Sequence, residues 1–300
     1  MADPDRRIGL SIFGSLIQAV EIDLGGSTPK LLAIDEWENT LPIGSTVEDD
    51  LGLHQFDEYF SAFLKVNRTQ SQYVSVALDT SFLFLHTVPM EADVDESELT
   101  DQMTWELSQY FPDAPPSDFV TASHIVHRDP SDAASEHLCV SIRRRDAALI
   151  ETILKRHGLS LHVLDVDHFS AETSLRANYP DSSRRFLVLV GLKEDRLDVS
   201  LIRSGNLEEY SYRLIRTEKD IIEQFASLSR EYTGINAIAT YGPRLDRDLL
   251  VEIRHNCSTL VEALNPLRHV NVSDSLRLAD HLRAPAYRFA STVGVALRES

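Results

Sequence analysis

The chain has 300 residues, 43% of them apolar and 25% charged, with a net charge of −18 from 29 basic and 47 acidic residues. That is enough length for a real core in two lobes and an ordinary soluble composition, while the acidic surface argues against nucleic acid or anionic lipid as a partner. Cys139 and Cys257, the only cysteines, lack CxxC spacing, which argues against a disulfide framework or a zinc site.

No apolar run approaches the roughly 18 residues of a membrane span. The first residues, "MADPDRR", are polar without a signal-peptide core, so a cytoplasmic protein without direct membrane insertion is expected. The densest basic cluster, "RRRD" at Arg143 to Asp146, reads as a helix start.

From Ile8 to Ile34 the pattern is of consecutive short strands. The small-residue turn Gly14-Ser15 and the segment "DLGGST" mark the reversals. Asp50 to Lys65 reads as a helix with Phe56, Tyr59, Phe60 and Phe63 on its core stripe. Strands "YVSVALD" and "FLFLHTVPM" follow, with Asp79-Thr80-Ser81 as the reversal between them. The next helix begins at a capping box of Asp95 and Glu98, repeats Leu99, Met103, Leu107 and Tyr110, and stops at "PDAPP".

A strand is expected over Phe119 to His127, a loop over "DPSDAASE", a strand at "HLCVSI" and a helix from Arg144 to His157 capped by Gly158. Strand "SLHVLDVD" leads to helix "HFSAETSLRANY", with Asp167 as its expected cap. The second half then restarts: strands "RRFLVLVG", "RLDVSLIRSG" and "NLEEYSYRLI", a hairpin turn at Ser204-Gly205, a helix over Glu218 to Tyr232, strand "AIATYG", helix "DRDLLVEIRHNC" and a last helix at "VGVAL". Periodicity alone gives a mixed α/β protein whose halves both open with a three-strand meander.

Four segments carry a resemblance. They are Val88 to Phe119, with Trp105-Glu106 and Gln109-Tyr110-Phe111-Pro112, then Cys139 to Ser170, Ala263 to Ser273, and Ala286 to Glu299. In order and spacing they resemble PilM, the actin-like cytoplasmic protein family of type IV pilus assembly. The resemblance implies a duplicated actin-like, ribonuclease H-like α/β fold. Residues 1–180 would form the first lobe, with a small subdomain inserted at about 91–165, and residues 181–300 a reduced second lobe. It also implies a non-catalytic scaffold that binds the N-terminal cytoplasmic peptide of a PilN-like inner-membrane protein. Trp105, Gln109, Tyr110, Phe111, Val140 and Ile142 are the candidate contacts, in a groove between main sheet and subdomain. Self-association is left open.

Compared with the family's two phosphate hairpins, Ser11 stands for an aspartate, Phe13 for the turn glycine and Gln18 for a lysine, and Gly14 falls one place late. In the second hairpin Leu189 takes the aspartate place and Gly191 survives, while Lys193, Glu194 and Asp195 read as a solvated turn. Gly242 alone remains of the adenosine turn, and the roughly 25 residues from Ile215 to Thr240 leave room for one helix. No cofactor, no metal and no ATP hydrolysis are expected, since Mg²⁺ sites draw on carboxylates and phosphates together. Two alternatives stay open: an ATP-binding protein with a rearranged first turn, and a regulatory interaction module unrelated to pili. His162, Asp165, Asp167 and His168 are metal-capable residue types, but their positions along a strand and its end do not converge. His124 and His127 fall on opposite faces of a strand.

Overall fold

The computed structural model describes residues 5–39, 50–91, 95–126, 134–277 and 285–299. The chain opens with β1 (Arg6–Phe13), β2 (Leu16–Asp23) and β3 (Lys30–Glu38), an antiparallel meander. Gly14 takes a φ of +62° in the two-residue turn between β1 and β2, a conformation glycine adopts without the Cβ penalty. Helix α1 (Asp50–Asn67) returns the chain so that β4 (Tyr73–Leu78) pairs parallel to β1.

Next come β5 (Phe84–Glu91), α2 (Glu96–Tyr110), β6 (Phe119–Val126) and β7 (Ala134–Arg143). They form a separate antiparallel sheet of order β5-β7-β6 with α2 on one face. The Asp95–Glu98 capping box is formed in both directions. His127 and much of the "DPSDAASE" loop lie outside the described residues. Helix α3 (Arg144–Arg156) and β8 (Ser160–Val166) rejoin the first sheet, β8 pairing parallel to β4. The inserted subdomain therefore starts earlier and ends sooner than the expected 91–165. β5 belongs to it, whereas α3 packs Ile150, Ile153 and Leu154 into the core of the first sheet.

After α4 (Asp167–Asn178) the design repeats. β9 (Phe186–Leu192), β10 (Arg196–Arg203) and β11 (Asn206–Leu214) form a second meander. Its turn places Ser204 and Gly205 at φ +51° and +82°. Helix α5 (Glu218–Glu231) is the sole helix between β11 and β12 (Ala237–Tyr241), and β12 pairs parallel to β9. Helix α6 (Arg247–Asn256) and β13 (Val261–Ala263) complete a sheet of order β11-β10-β9-β12-β13. That matches β3-β2-β1-β4-β8 of the first sheet position for position. The sequence pattern carried no sign of β13, nor of β14 (Asn271–Val272), which adds to β3.

The main sheet of each lobe is covered on both faces. Ile8, Leu10 and Ile12 point to α1, where Phe56, Phe60 and Phe63 are buried, and each such side chain stabilises by roughly 2 kcal/mol. Tyr59, expected on the same stripe, is 45% exposed at its edge. Val188, Val190 and Leu192 point to α5 and α6.

Between the sheets lie two exchanged helices. α4 buries Ala171 and Leu175 on the second sheet, against Leu187, Leu189 and Ala239. After α7 (Asp274–Arg277), α8 (Ala290–Leu297) buries Val293 and Ala296 on the first sheet, against Val20, Ile22 and Leu31. Strand β14 and helix α8 thus return to the first lobe, contrary to the expectation that 181–300 would all form the second.

Candidate functional site

Two cavities meet the positions the sequence singles out. The first, of 690 Å³, lies between the lobes and is lined by Phe13, Gly14, Ser15, Asp79, Lys193, Arg196, Pro243, Arg244 and Arg288. Both meander turns and the chain after Gly242 therefore face one cleft. Ser11 and Gln18 lie behind it, fully buried. Gln18 donates to Glu36 at 3.0 Å and accepts from Thr292 of α8 at 3.0 Å, so it braces β2, β3 and α8. Leu189 is core. A Cβ on Gly191 would lie 2.6 Å from the Tyr241 hydroxyl, and Gly242, at φ +127°, lies against the Leu192 carbonyl.

The floor of this cleft is ionic, and the sequence reading missed it. Lys193 is not in a solvated turn: its side chain is 3% exposed. Its Nζ donates to Asp167 and to Asp79 at 3.0 Å, and stands 3.4 Å from Asp198. Arg196 pairs with Asp79 and approaches Asp198 at 3.4 Å. Thr80 donates to Asp198 at 3.2 Å, and Phe13 places its ring 5.0 Å from the ammonium. The Asp79-Thr80-Ser81 reversal is a short 3₁₀ turn capped by Asp79, which accepts from the Ser81 N–H.

Asp167 is also not a cap. Val166 holds that place, and Asp167 is the first helical residue with its carboxylate turned onto Lys193. His168 is buried between Tyr241 at 2.8 Å and Ser200 at 3.0 Å. Asp165 pairs with Arg298 and accepts from Ser170, so the "HVLDVDHF" residues are dispersed among separate partners.

The electrostatics follow from burial and pairing. Burial opposes the charge on Lys193, but Asp167, Asp79 and Asp198 hold its ammonium above the usual lysine value. Burial likewise works against Asp79, yet Lys193 and Arg196 pull its carboxyl well below the usual range. For Asp167 burial wins: its carboxyl is pushed up to about 7, with Asp79 and Asp198 adding to the effect against Lys193. Its Oδ1 has no hydrogen-bond partner. Burial pushes the His168 imidazole down to about 4.

A metal-bound nucleotide, which the fold implies, does not fit these residues. An ammonium already stands among the carboxylates that would face a cation. Arg244 and Arg288 are engaged by the Glu194 carbonyl and by Glu36. Among the described residues no group of histidine, cysteine, aspartate or glutamate side chains is arranged to hold a metal.

The second cavity, of 430 Å³, opens between the inserted sheet and the first lobe. Val120, Ala122, Val140 and Ile142 form one wall. Leu164, Asp165 and Val166 of β8, with Phe169, Glu172 and Arg176 of α4 and Arg298, form the other. β6 and β8 are edge strands of their sheets. Two ion pairs, Asp165–Arg298 and Glu172–Arg176, line its polar side.

The expected groove residues divide here. Val140 and Ile142 face this cavity, whereas Cys139 and Ser141, alternate residues of β7, face α2 or its side of the sheet. Trp105 and Tyr110, each 55% exposed, and Gln109 therefore lie beyond the opposite face. Tyr110 and Phe111 pack on Phe84 at 4.8 and 5.0 Å between ring centroids. The six residues do not make one groove, because strand alternation sends the two groups apart.

No protein-family model and no curated protein matches the sequence. Solved structures do match in fold. A chain of a PilM–PilN type IV pilus biogenesis complex is 19% identical, with 97% of each chain covered and a TM-score of 0.76. A Bacteroides thetaiotaomicron protein of actin-like ATPase fold and unknown function is 8% identical, with coverage of 97% and 95% and a TM-score of 0.53. The cytoplasmic domain of EpsL, an inner-membrane component of the Vibrio cholerae type II secretion system, is 12% identical, with coverage of 94% and 99% and a TM-score of 0.50. The repeated strand order, the exchanged helices and these likenesses together establish a duplicated, two-lobed actin-like fold.

Proposed function

We propose that the protein is a non-catalytic, PilM-like scaffold of a type IV pilus or related secretion assembly. It captures the N-terminal cytoplasmic peptide of a PilN-like inner-membrane protein and is held at the membrane through that partner. The carrying observation is the 430 Å³ cavity between the inserted sheet and the first lobe. Its apolar wall takes side chains, its ion pairs fix polar groups, and the flanking edges of β6 and β8 carry backbone donors and acceptors suited to an extended segment. A structure with this fold was solved in a PilM–PilN complex. Among the described residues no helix is long and apolar enough to cross a membrane.

In this reading Val140 and Ile142 touch the peptide, while Trp105, Gln109, Tyr110 and Phe111 form a separate outer surface. Ser11, Phe13, Gly14, Gln18, Leu189, Gly191 and Gly242 are the altered remains of a phosphate site. Fluorescence anisotropy with a labelled peptide of the partner's cytoplasmic tail tests it. Val140→Asp, at the partly exposed wall position, abolishes binding, and Trp105→Ala leaves it within about twofold. Full binding by Val140→Asp would overturn the assignment. The 690 Å³ interlobe cleft is the observation in favour of a nucleotide-binding alternative. Isothermal titration with Mg-ATP separates the two, the scaffold reading predicting no binding heat.

A further inference from the structure

We propose that Lys193 acts as a resident cation, holding the two lobes closed from within where a bound ligand would otherwise do so. The charges come from distant parts of the chain. Asp79 follows β4 of the first lobe, Asp167 begins the exchanged helix α4, and Lys193, Arg196 and Asp198 belong to the β9–β10 hairpin of the second lobe. Lys193 reaches Asp79 across the lobes at 3.0 Å while also bonded to Asp167. Arg196 makes a second crossing to Asp79, and Thr80 of the first lobe donates to Asp198 of the second at 3.2 Å.

Lys193, Asp167 and Asp198 have 3% exposure or less. Water therefore screens their interactions weakly, and separating the lobes would leave the ions either hydrated at the loss of every crossing or buried without partners. A side chain tied into the backbone needs no ligand supply, so closure does not depend on nucleotide concentration.

Hydrogen exchange and small-angle scattering on the full chain test this, with and without millimolar Mg-ATP. In the unmodified protein both measurements stay unchanged on adding Mg-ATP. Lys193→Met raises exchange in the β9–β10 turn about tenfold or more and expands the scattering profile. Protection in β1 and β12 stays native, which shows that both lobes remain folded. Compaction of the unmodified protein by Mg-ATP, or native protection of the turn in Lys193→Met, overturns the proposal. Should Lys193→Met fail to fold, Asp79→Asn is read at the same turn, where unchanged protection overturns it equally. No partner peptide enters these measurements, so their failure is distinct from failure of the docking reading.

Discussion

Replacing Gly294 with alanine tests whether the exchanged helices are set by a close backbone crossing. A Cβ at Gly294 would overlap the Ser170 carbonyl oxygen, lie 2.6 Å from its carbon and 3.1 Å from the Ser174 nitrogen. These are backbone atoms of α4, so no rotamer change relieves the contact, and α4 and α8 must move apart. The opposite flank of α8 is equally tight: a Cβ on Gly9 of β1 would meet the Thr292 carbonyl and lie 2.9 Å from the Ala296 Cβ. Alanine gains about 1 kcal/mol over glycine in helix propensity. Overpacking against a rigid neighbour costs about 3 kcal/mol at the upper end of its usual range. The net is a loss of roughly 2 kcal/mol, or about 3 °C in Tm for a chain of 300 residues. Urea and thermal unfolding followed by far-UV circular dichroism measure it. Because Arg298, just beyond α8, pairs with Asp165 in the 430 Å³ cavity, the proposed docking reading predicts that the same variant weakens peptide binding. A Tm equal to or above that of the unmodified protein would refute the crossing argument, since helix propensity alone would then be deciding.

The Asp167 carboxyl has a folded-state value of about 7 against an ordinary 3.8, so the folded protein holds more protons between those values. Its contribution is therefore lost as pH rises through that interval. Asp79, pulled below its ordinary value, has the opposite sign: its stabilisation is present above about pH 4 and fades in stronger acid. Urea midpoints at about pH 5 and about pH 8 fall less steeply with pH in Asp167→Asn than in the unmodified protein; parallel profiles would show that Asp167 titrates normally. Cys139 is fully buried, with its thiol pushed up to about 11 by burial and by Glu106. Cys257 is partly accessible. A disulfide reagent added to the native protein labels Cys257 alone, and Cys139 reacts only after unfolding.

Both meanders and most helices were legible because each is encoded locally. The Asp95 box, the Gly14-Ser15 and Ser204-Gly205 turns and the Phe56-Phe60-Phe63 stripe all lie within a few residues of what they determine. Strands β13 and β14 are three and two residues long, too short to show a period. The ionic floor was hidden differently. Lys193 stands beside Glu194 and Asp195 and reads as a polar turn, but its partners Asp79 and Asp167 lie 114 and 26 positions away. Pairing over such separations is created by the fold and leaves no local mark. The division of the groove residues did have a signal. Val140 and Ile142 share one parity on β7 and Cys139 has the other, so once α2 is placed over Cys139, Val140 and Ile142 must face away from it.

The duplication shows how the lobes could serve as both the proposed lock and the proposed platform. The two sheets share one strand order, yet only the first lobe carries an inserted sheet between its fourth and fifth positions. That inserted sheet does not stand free. Val126 and Leu138 pack on Leu207 of β11, with Leu85, Phe169 and Tyr210 around them, so the second lobe supports it from below. Tyr210 in turn donates to Asp198 at 3.1 Å, within the ionic network of Lys193. Phe169, which lines the 430 Å³ cavity, packs on Tyr210 at 5.5 Å between ring centroids, so the cavity and the interlobe charges are joined through Tyr210 of β11. A protein whose lobes opened and closed with a ligand would shift this support at every cycle. If its own lysine ties the lobes, as proposed, the cavity keeps a fixed width, which suits the proposed role of holding a partner rather than working on a substrate.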